Sequence, residues 1–133
     1  MLHHVELWVP DLPRAVRSWG WLLSSLGYDP YQEWEHGRSW RLGPTYLVVE
    51  RSPAMRDDGG HDRTRPGLNH LAFHAGTTAR VDALMRQAPA HGWSPLFTDR
   101  YPHAGGPDHY AGYLADADGF EVELVASGVE PAG

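Results

Sequence analysis

The chain carries one pattern twice. A histidine opens an alternating apolar segment at His4 and again at His70, and seven residues later stands a helix-capping type, Asp11 and then Thr77. An amphipathic run follows and stops at a glycine, Gly27 and then Gly92, and each half closes on a glutamate after a valine, Glu50 and Glu123. The offsets between the halves are 66, 66, 65 and 73 residues, so the register holds through the helix and slips only in the loops after it. A half of about 65 residues is marginal on its own. The expectation is therefore one domain over 1–133 built from two modules, 1–51 and 67–126. The joining segment 52–66 is rich in Gly, Pro and charge and reads as a linker or mobile loop, and 127–133 reads as a flexible tail.

Periodicity supplies the elements. In residues 3–9, Val5, Leu7 and Val9 share one face and His4, Glu6 and Trp8 the other. Asp11 caps a helix whose Leu12, Ala15, Val16, Trp19, Leu22, Leu23 and Leu26 form an apolar stripe, ended by Gly27. Strand-like pieces at 28–34, 38–42 and 45–50 are separated by His36-Gly37 and Gly43-Pro44, so the first module reads β-α-β-β-β. In the second, Leu71, Phe73 and Ala75 oppose His70, Ala72 and His74. Thr77 or Thr78 caps a helix carrying Val81, Leu84, Met85 and Ala88, and strands are expected near 94–98, 109–115 and 120–126. The last two are joined by a turn at Asp116-Ala-Asp-Gly119. The class is α+β.

Composition narrows the chemistry. All eleven basic residues are Arg and are scattered, and the formal net charge is −6, which argues against nucleic acid or an anionic membrane as partner. The absence of Lys and Cys removes Schiff-base, thiolate and disulfide chemistry. With no long apolar run and no leader-like start, a cytoplasmic location is expected. Any metal must be held by imidazole and carboxylate.

Strand alternation puts His4, Glu50, His70 and Glu123 opposite the more apolar, helix-facing side of their strands. Two imidazoles and two carboxylates suit one divalent ion such as Zn, Ni, Fe, Mn or Co, with positions left for water or substrate. Glu50 or Glu123 is then the candidate general base. His3 is expected on the opposite face from His4. His74 and Trp8 share the candidate ligands' faces and are expected to line a pocket. The aromatic supply, including Tyr46, Tyr110, Tyr113 and Trp40, points to an apolar or aromatic small molecule. The long segment 101–110 reads as a lid or a plain connection.

His4-Val-Glu-Leu-Trp-Val-Pro-Asp-Leu12 with Leu26-Gly27, and Asp116-Ala-Asp-Gly-Phe-Glu-Val-Glu-Leu124, resemble the opening and closing motifs of the vicinal oxygen chelate superfamily, with Ala117 at a usual proline. That group includes glyoxalase I, bleomycin-resistance proteins, fosfomycin-resistance enzymes and extradiol dioxygenases. The resemblance runs over about residues 2–126. It implies paired βαβββ modules whose curved mixed sheets surround a cleft, a His4/Glu50/His70/Glu123 ligand set like that of glyoxalase I, and a homodimer. The expected function is a metal-dependent lyase, isomerase or oxygenase acting on a small oxygen-chelating substrate. The alternative is a non-catalytic protein that sequesters an antibiotic-like molecule, as bleomycin-resistance members do.

Overall fold

The computed structural model describes residues 1–56 and 58–129, so position 57 of the expected linker and 130–133 of the expected tail lie outside the described residues. The chain divides into two compact units, the first ending at Gly60 and the second beginning at His61.

In the first unit, β1 (His4–Trp8) leads into α1 (Leu12–Ser25), followed by β2 (Asp29–Trp34), β3 (Gly37–Leu42) and β4 (Thr45–Glu50). Their order across the sheet is β1-β4-β3-β2. β1 and β4 run parallel, as a crossover through α1 allows, and the remaining pairs are antiparallel. Asp11 caps α1 by accepting from the Arg14 amide, and Gly27 takes the left-handed conformation just past its end. Trp19, Leu22 and Leu23 of α1 are fully buried, as are Val9 and Val49. Trp40 is also core: it is 6% exposed and its indole lies against Gly20 of α1. Pro30 is accommodated because β2 is the sheet edge, where its missing N–H costs no ladder bond, and the register shifts there.

The second unit repeats the plan with β5 (Leu71–His74), α2 (Thr78–Gln87), β6 (Ser94–Leu96), β7 (Ala111–Ala115) and β8 (Glu121–Val125), in the order β5-β8-β7-β6. β5 and β8 are parallel. Thr77 is the cap, accepting from the Arg80 amide. α2 tightens into a 3-10 turn over Ala88–His91, where Pro89 has no N–H to continue an α-helix, and Gly92 closes it at φ 86°. β6 is shorter than its sequence pattern because Phe97 adopts φ 56° and turns the chain out of the strand. Between β7 and β8, Asp116 Oδ1 accepts from the amides of Asp118 and Phe120, which builds the expected tight turn.

The architecture is two four-stranded mixed sheets, each with its own helix, from two βαβββ modules: the α+β class read from the sequence. One detail of the repeat changes. Register places Tyr46 opposite His4, Val48 opposite Glu6 and Glu50 opposite Trp8, whereas Glu123 lies opposite Ala72, the repeat counterpart of Glu6. Val48, not Glu50, therefore occupies the position of Glu123, and Glu50 corresponds to Val125. The two glutamates look equivalent in sequence because each follows a valine, but loops of unequal length feed the two strands.

Gly37 is a point of dependence in the first unit. The Trp34 indole lies over it, and a Cβ there would also meet the Val49 carbonyl oxygen at 2.8 Å. Gly37→Ala is expected to cost about 1–3 kcal/mol of stability through overpacking, read from the urea midpoint. It should also shift tryptophan fluorescence as Trp34 is displaced. An unchanged midpoint would contradict this packing.

Candidate functional site

The second unit concentrates its ionisable side chains on one face of its sheet. Glu121 and Glu123, two residues apart on β8, point the same way and are 4% and 6% exposed. Taking two carboxylates out of water is costly unless donors meet them, and the donors come from three loops. Arg63 Nη1 lies 2.6 Å from Glu121 Oε1. His70 Nε2 lies 3.1 Å from Glu123 Oε1, and its Nδ1 lies 3.8 Å from Glu121 Oε2. His109 Nε2 donates to Glu123 Oε2. Tyr113 of β7 sets its ring edge-on to His70 at 6.0 Å. Burial, followed by the charge of Glu123, pushes its phenol pKa up, so it stays protonated.

The tautomer of His70 follows from its neighbours. Asn69 Nδ2 donates to the Arg63 carbonyl oxygen at 3.0 Å, and that oxygen can only accept, so the amide is oriented with Oδ1 toward His70 Nδ1 at 2.7 Å. Nδ1 therefore carries the proton, and the Nε2 lone pair of a neutral ring faces a carboxylate oxygen. Two acceptors in that position require a cation between them, a proton or a metal. The second case fits the donor chemistry: an imidazole whose other nitrogen donates to a fixed outer oxygen is the usual form of a metal-ligating histidine. Ligand bonds of about 2.0–2.2 Å also place neighbouring ligands roughly 3 Å apart. Charge agrees, since two carboxylates against one guanidinium leave the cluster one negative charge in excess. Among the described residues, no group of three or more His, Asp or Glu side chains stands where it could by itself hold an ion. His70 and Glu123 are two donors.

In the first unit His4 and Glu50 are not brought together. His4 stacks on Tyr46, its strand partner, at 4.7 Å and 4° between planes, and its Nδ1 lies 2.8 Å from His3 Nδ1. His3 thus touches the ring it was expected to turn away from, because it precedes the first residue of β1 and alternation does not bind it. Glu50 instead accepts from the Trp34 indole N–H at 3.1 Å. His4, Glu6, Tyr46 and Val48 line an open pocket of about 610 Å³ with Gln32, Glu33 and Trp34. Trp8 is 43% exposed and donates its indole N–H to Glu6.

The remaining aromatic candidates separate. Tyr113 belongs to the Glu123 cluster. Tyr110 does not: its hydroxyl donates to Asp82 of α2 at 2.6 Å, beside Tyr101, which donates to the same oxygen. His74 is exposed at the far end of β5 and pairs with the Ser127 hydroxyl at 2.7 Å. Segment 101–110 carries His109 to Glu123, with Gly105 packed so closely that a Cβ there would meet the Tyr113 hydroxyl at 2.9 Å.

Four members of the cluster were not singled out from sequence. Glu121 was legible in principle, since it shares an alternating face with Glu123. Arg63, Asn69 and His109 lie on loops with no periodicity to betray where they reach.

Three comparisons bear on this geometry. The family model of the Glyoxalase/Bleomycin resistance protein/Dioxygenase superfamily matches residues 3–113. The uncharacterized protein YqjT of Bacillus subtilis (strain 168) is 45% identical over 125 residues, covering 94% of this chain and 98% of that protein. A crystal structure of a candidate glyoxalase from Bacillus halodurans superposes with a TM-score of 0.90 at 44% identity, over 95% of each chain. A glyoxalase-related enzyme from Fulvimarina pelagi, 24% identical, shares the fold at a TM-score of 0.71, over 100% of this chain and 92% of that one.

The Arg63–Glu121 pair is expected to hold the cluster together. Arg63→Met should destabilise the protein by about 1.5–3 kcal/mol, the worth of a charge-assisted hydrogen bond to a buried acceptor. Arg63→Met with Glu121→Gln should recover most of that loss in chemical denaturation. A double variant no more stable than the single one would show that the pair is not coupled.

A second expectation concerns Asp82. Hydrogen bonds from Tyr101 and then Tyr110 hold its carboxyl pKa below the ordinary 3.8. The carboxylate's contribution to stability is therefore complete above that pH and is lost as pH falls through the lower folded-state value. The stability difference between the protein and Asp82→Asn should be level above about pH 4 and shrink below it. A difference that grows toward acid would contradict the assignment.

Proposed function

Because the chain belongs to the Glyoxalase/Bleomycin resistance protein/Dioxygenase superfamily, we propose that it is a metal-dependent enzyme acting on a small oxygen-chelating substrate as a lyase, isomerase or oxygenase. The observation that carries this reading is His70, whose Nδ1 lies 2.7 Å from Asn69 Oδ1 and whose Nε2 lies 3.1 Å from Glu123 Oε1. A divalent ion bound there, of the Zn, Ni, Fe, Mn or Co type, would polarise a substrate oxygen or lower the pKa of a bound water. The proposed donor set is His4, Glu50, His70 and Glu123. Support is greatest for the last two, and Glu50 is the member whose present partner, Trp34, would have to release it.

The chain's own residues have definite parts in such a reaction. Glu123, with one oxygen on His70 and the other accepting from His109, is the proposed base. Tyr113, kept neutral by burial, is a hydrogen-bond donor to a substrate oxygen. Arg63 neutralises Glu121, which leaves the Glu123 side of the face as the place where a cation is wanted. Tyr46 and Trp8 offer aromatic surface in the first unit. His74 and Tyr110 keep a proposed substrate role, although neither contacts the Glu123 cluster. The protein is proposed to act as a homodimer in the cytoplasm. No helix among the described residues is long and apolar enough to cross a membrane.

A binding protein without turnover is the second reading. It is favoured by the open pocket in the first unit, where a stacked His4–Tyr46 pair and Trp34 present aromatic surface.

Elemental analysis of protein purified without chelator should find a bound divalent ion, and His70→Ala and Glu123→Ala should lose it. Asn69→Ala removes only the outer hydrogen bond and should weaken metal affinity about 10- to 100-fold. Metal-free protein with all three variants indistinguishable from it would end the enzymatic proposal. Ligand binding that survives chelation would then favour sequestration.

A further inference from the structure

On the opposite face of the second unit's sheet lies a cleft that the proposed reaction does not use. It is about 380 Å³ and opens between α2, β6 and the segment from Thr98 to Tyr110. Alternation along β7 separates it from the Glu123 cluster: Tyr113 faces His70, while Gly112 faces α2, where a Cβ would meet Met85 Cγ at 2.6 Å. Met85, Pro95 and Leu96 give the cleft an apolar wall, and its volume lies within the usual range for small-molecule sites.

Its polar groups are few and ordered. Both tyrosine hydroxyls, Tyr101 and Tyr110, donate to the same oxygen of Asp82, Oδ1, and their rings meet nearly edge-on at 6.2 Å. The other carboxylate oxygen, Oδ2, has no hydrogen-bond partner among the described residues. Arg86 stands four residues on, on the same face of α2. This spacing commonly yields an ion pair, yet among the described residues Asp82 and Arg86 form none within 4 Å, although the Arg86 charge still acts on Asp82 from a distance. One oriented negative group and one positive group are thus held about a helical turn apart, roughly 5–6 Å at the Cβ atoms, over an apolar floor.

We propose that this cleft binds a free α-amino acid with an apolar side chain. Its ammonium meets the open oxygen of Asp82, its carboxylate meets the Arg86 guanidinium, and its side chain lies against Met85, Pro95 and Leu96. The volume admits a side chain of leucine or phenylalanine size. A simple amine leaves Arg86 unmatched, and a simple acid leaves the open oxygen of Asp82 without a donor. The phenols stay protonated, Tyr101 through burial and then its bond to Asp82, Tyr110 through its bond to Asp82, so the site keeps its form across the neutral range.

The test is an amide chemical-shift titration of the full chain with L-leucine and L-phenylalanine, set beside leucinamide, which lacks the carboxylate, and 4-methylpentanoate, which lacks the amine. The expected result is saturable shifts confined to α2, β6 and the 98–110 segment, with affinity at least about tenfold weaker for both truncated compounds. Arg86→Met, an exposed substitution that leaves the Asp82–tyrosine contacts in place, should weaken L-leucine binding by about tenfold or more. No saturable shifts at millimolar amino acid would overturn the proposal. So would 4-methylpentanoate or leucinamide binding as well as leucine, or Arg86→Met without effect. Because the readout is binding at α2 and needs no metal, none of these outcomes depends on the reaction proposed for Glu123.

Discussion

Two carboxylates buried side by side on β8 set the terms for the second unit. An unpaired buried charge is costly enough to unfold a small domain. Glu121 and Glu123 therefore have to recruit donors, and the guanidinium and imidazole donors described come from loops. Arg63 comes from before β5, His70 from the residue just ahead of its first position, Leu71, and His109 from the segment before β7. Without those two charges, none of these loops has a periodic or apolar reason to lie where it does. The same arrangement gives the unit its chemistry, because donors that only balance the charge leave one carboxylate in excess on the open side.

Much of the fold was legible because it rests on local rules. Asp11 and Thr77 cap their helices as capping residues should, glycines end both helical stretches, and alternation in β1, β4 and β8 assigns the faces correctly. These are consequences of neighbours a few residues apart. β6 fell short of its sequence pattern through the left-handed conformation of Phe97, of which the sequence carries no warning.

The site was legible only in part, and the limit is physical. His70 and Glu123 were found because one directly precedes β5 and the other lies in β8, segments with readable faces and a readable repeat. The pairing of Glu50 with Glu123 misled, since sequence offsets measure chain length while register measures position in the sheet, and an unequal loop separates the two. Arg63, Asn69 and His109 reach across many intervening residues, and their placement is decided by charge compensation rather than by any pattern in their own neighbourhoods. Tyr110 and Tyr113 lie three residues apart and looked alike as pocket aromatics. Entry into β7 between them sends one toward α2 and the other toward β8.

His109 and Tyr110 are consecutive, yet one is fastened to Glu123 and the other to Asp82. The peptide that follows them, linking Tyr110 to Ala111, is held at both of its polar groups: its amide donates to the Pro102 carbonyl and its carbonyl accepts from the Ala126 amide. Two consecutive residues thus send their side chains to opposite faces of the sheet, one to the β8 carboxylate and the other to the α2 carboxylate. The length of the segment before β7 is therefore set by two anchors on opposite faces rather than by one.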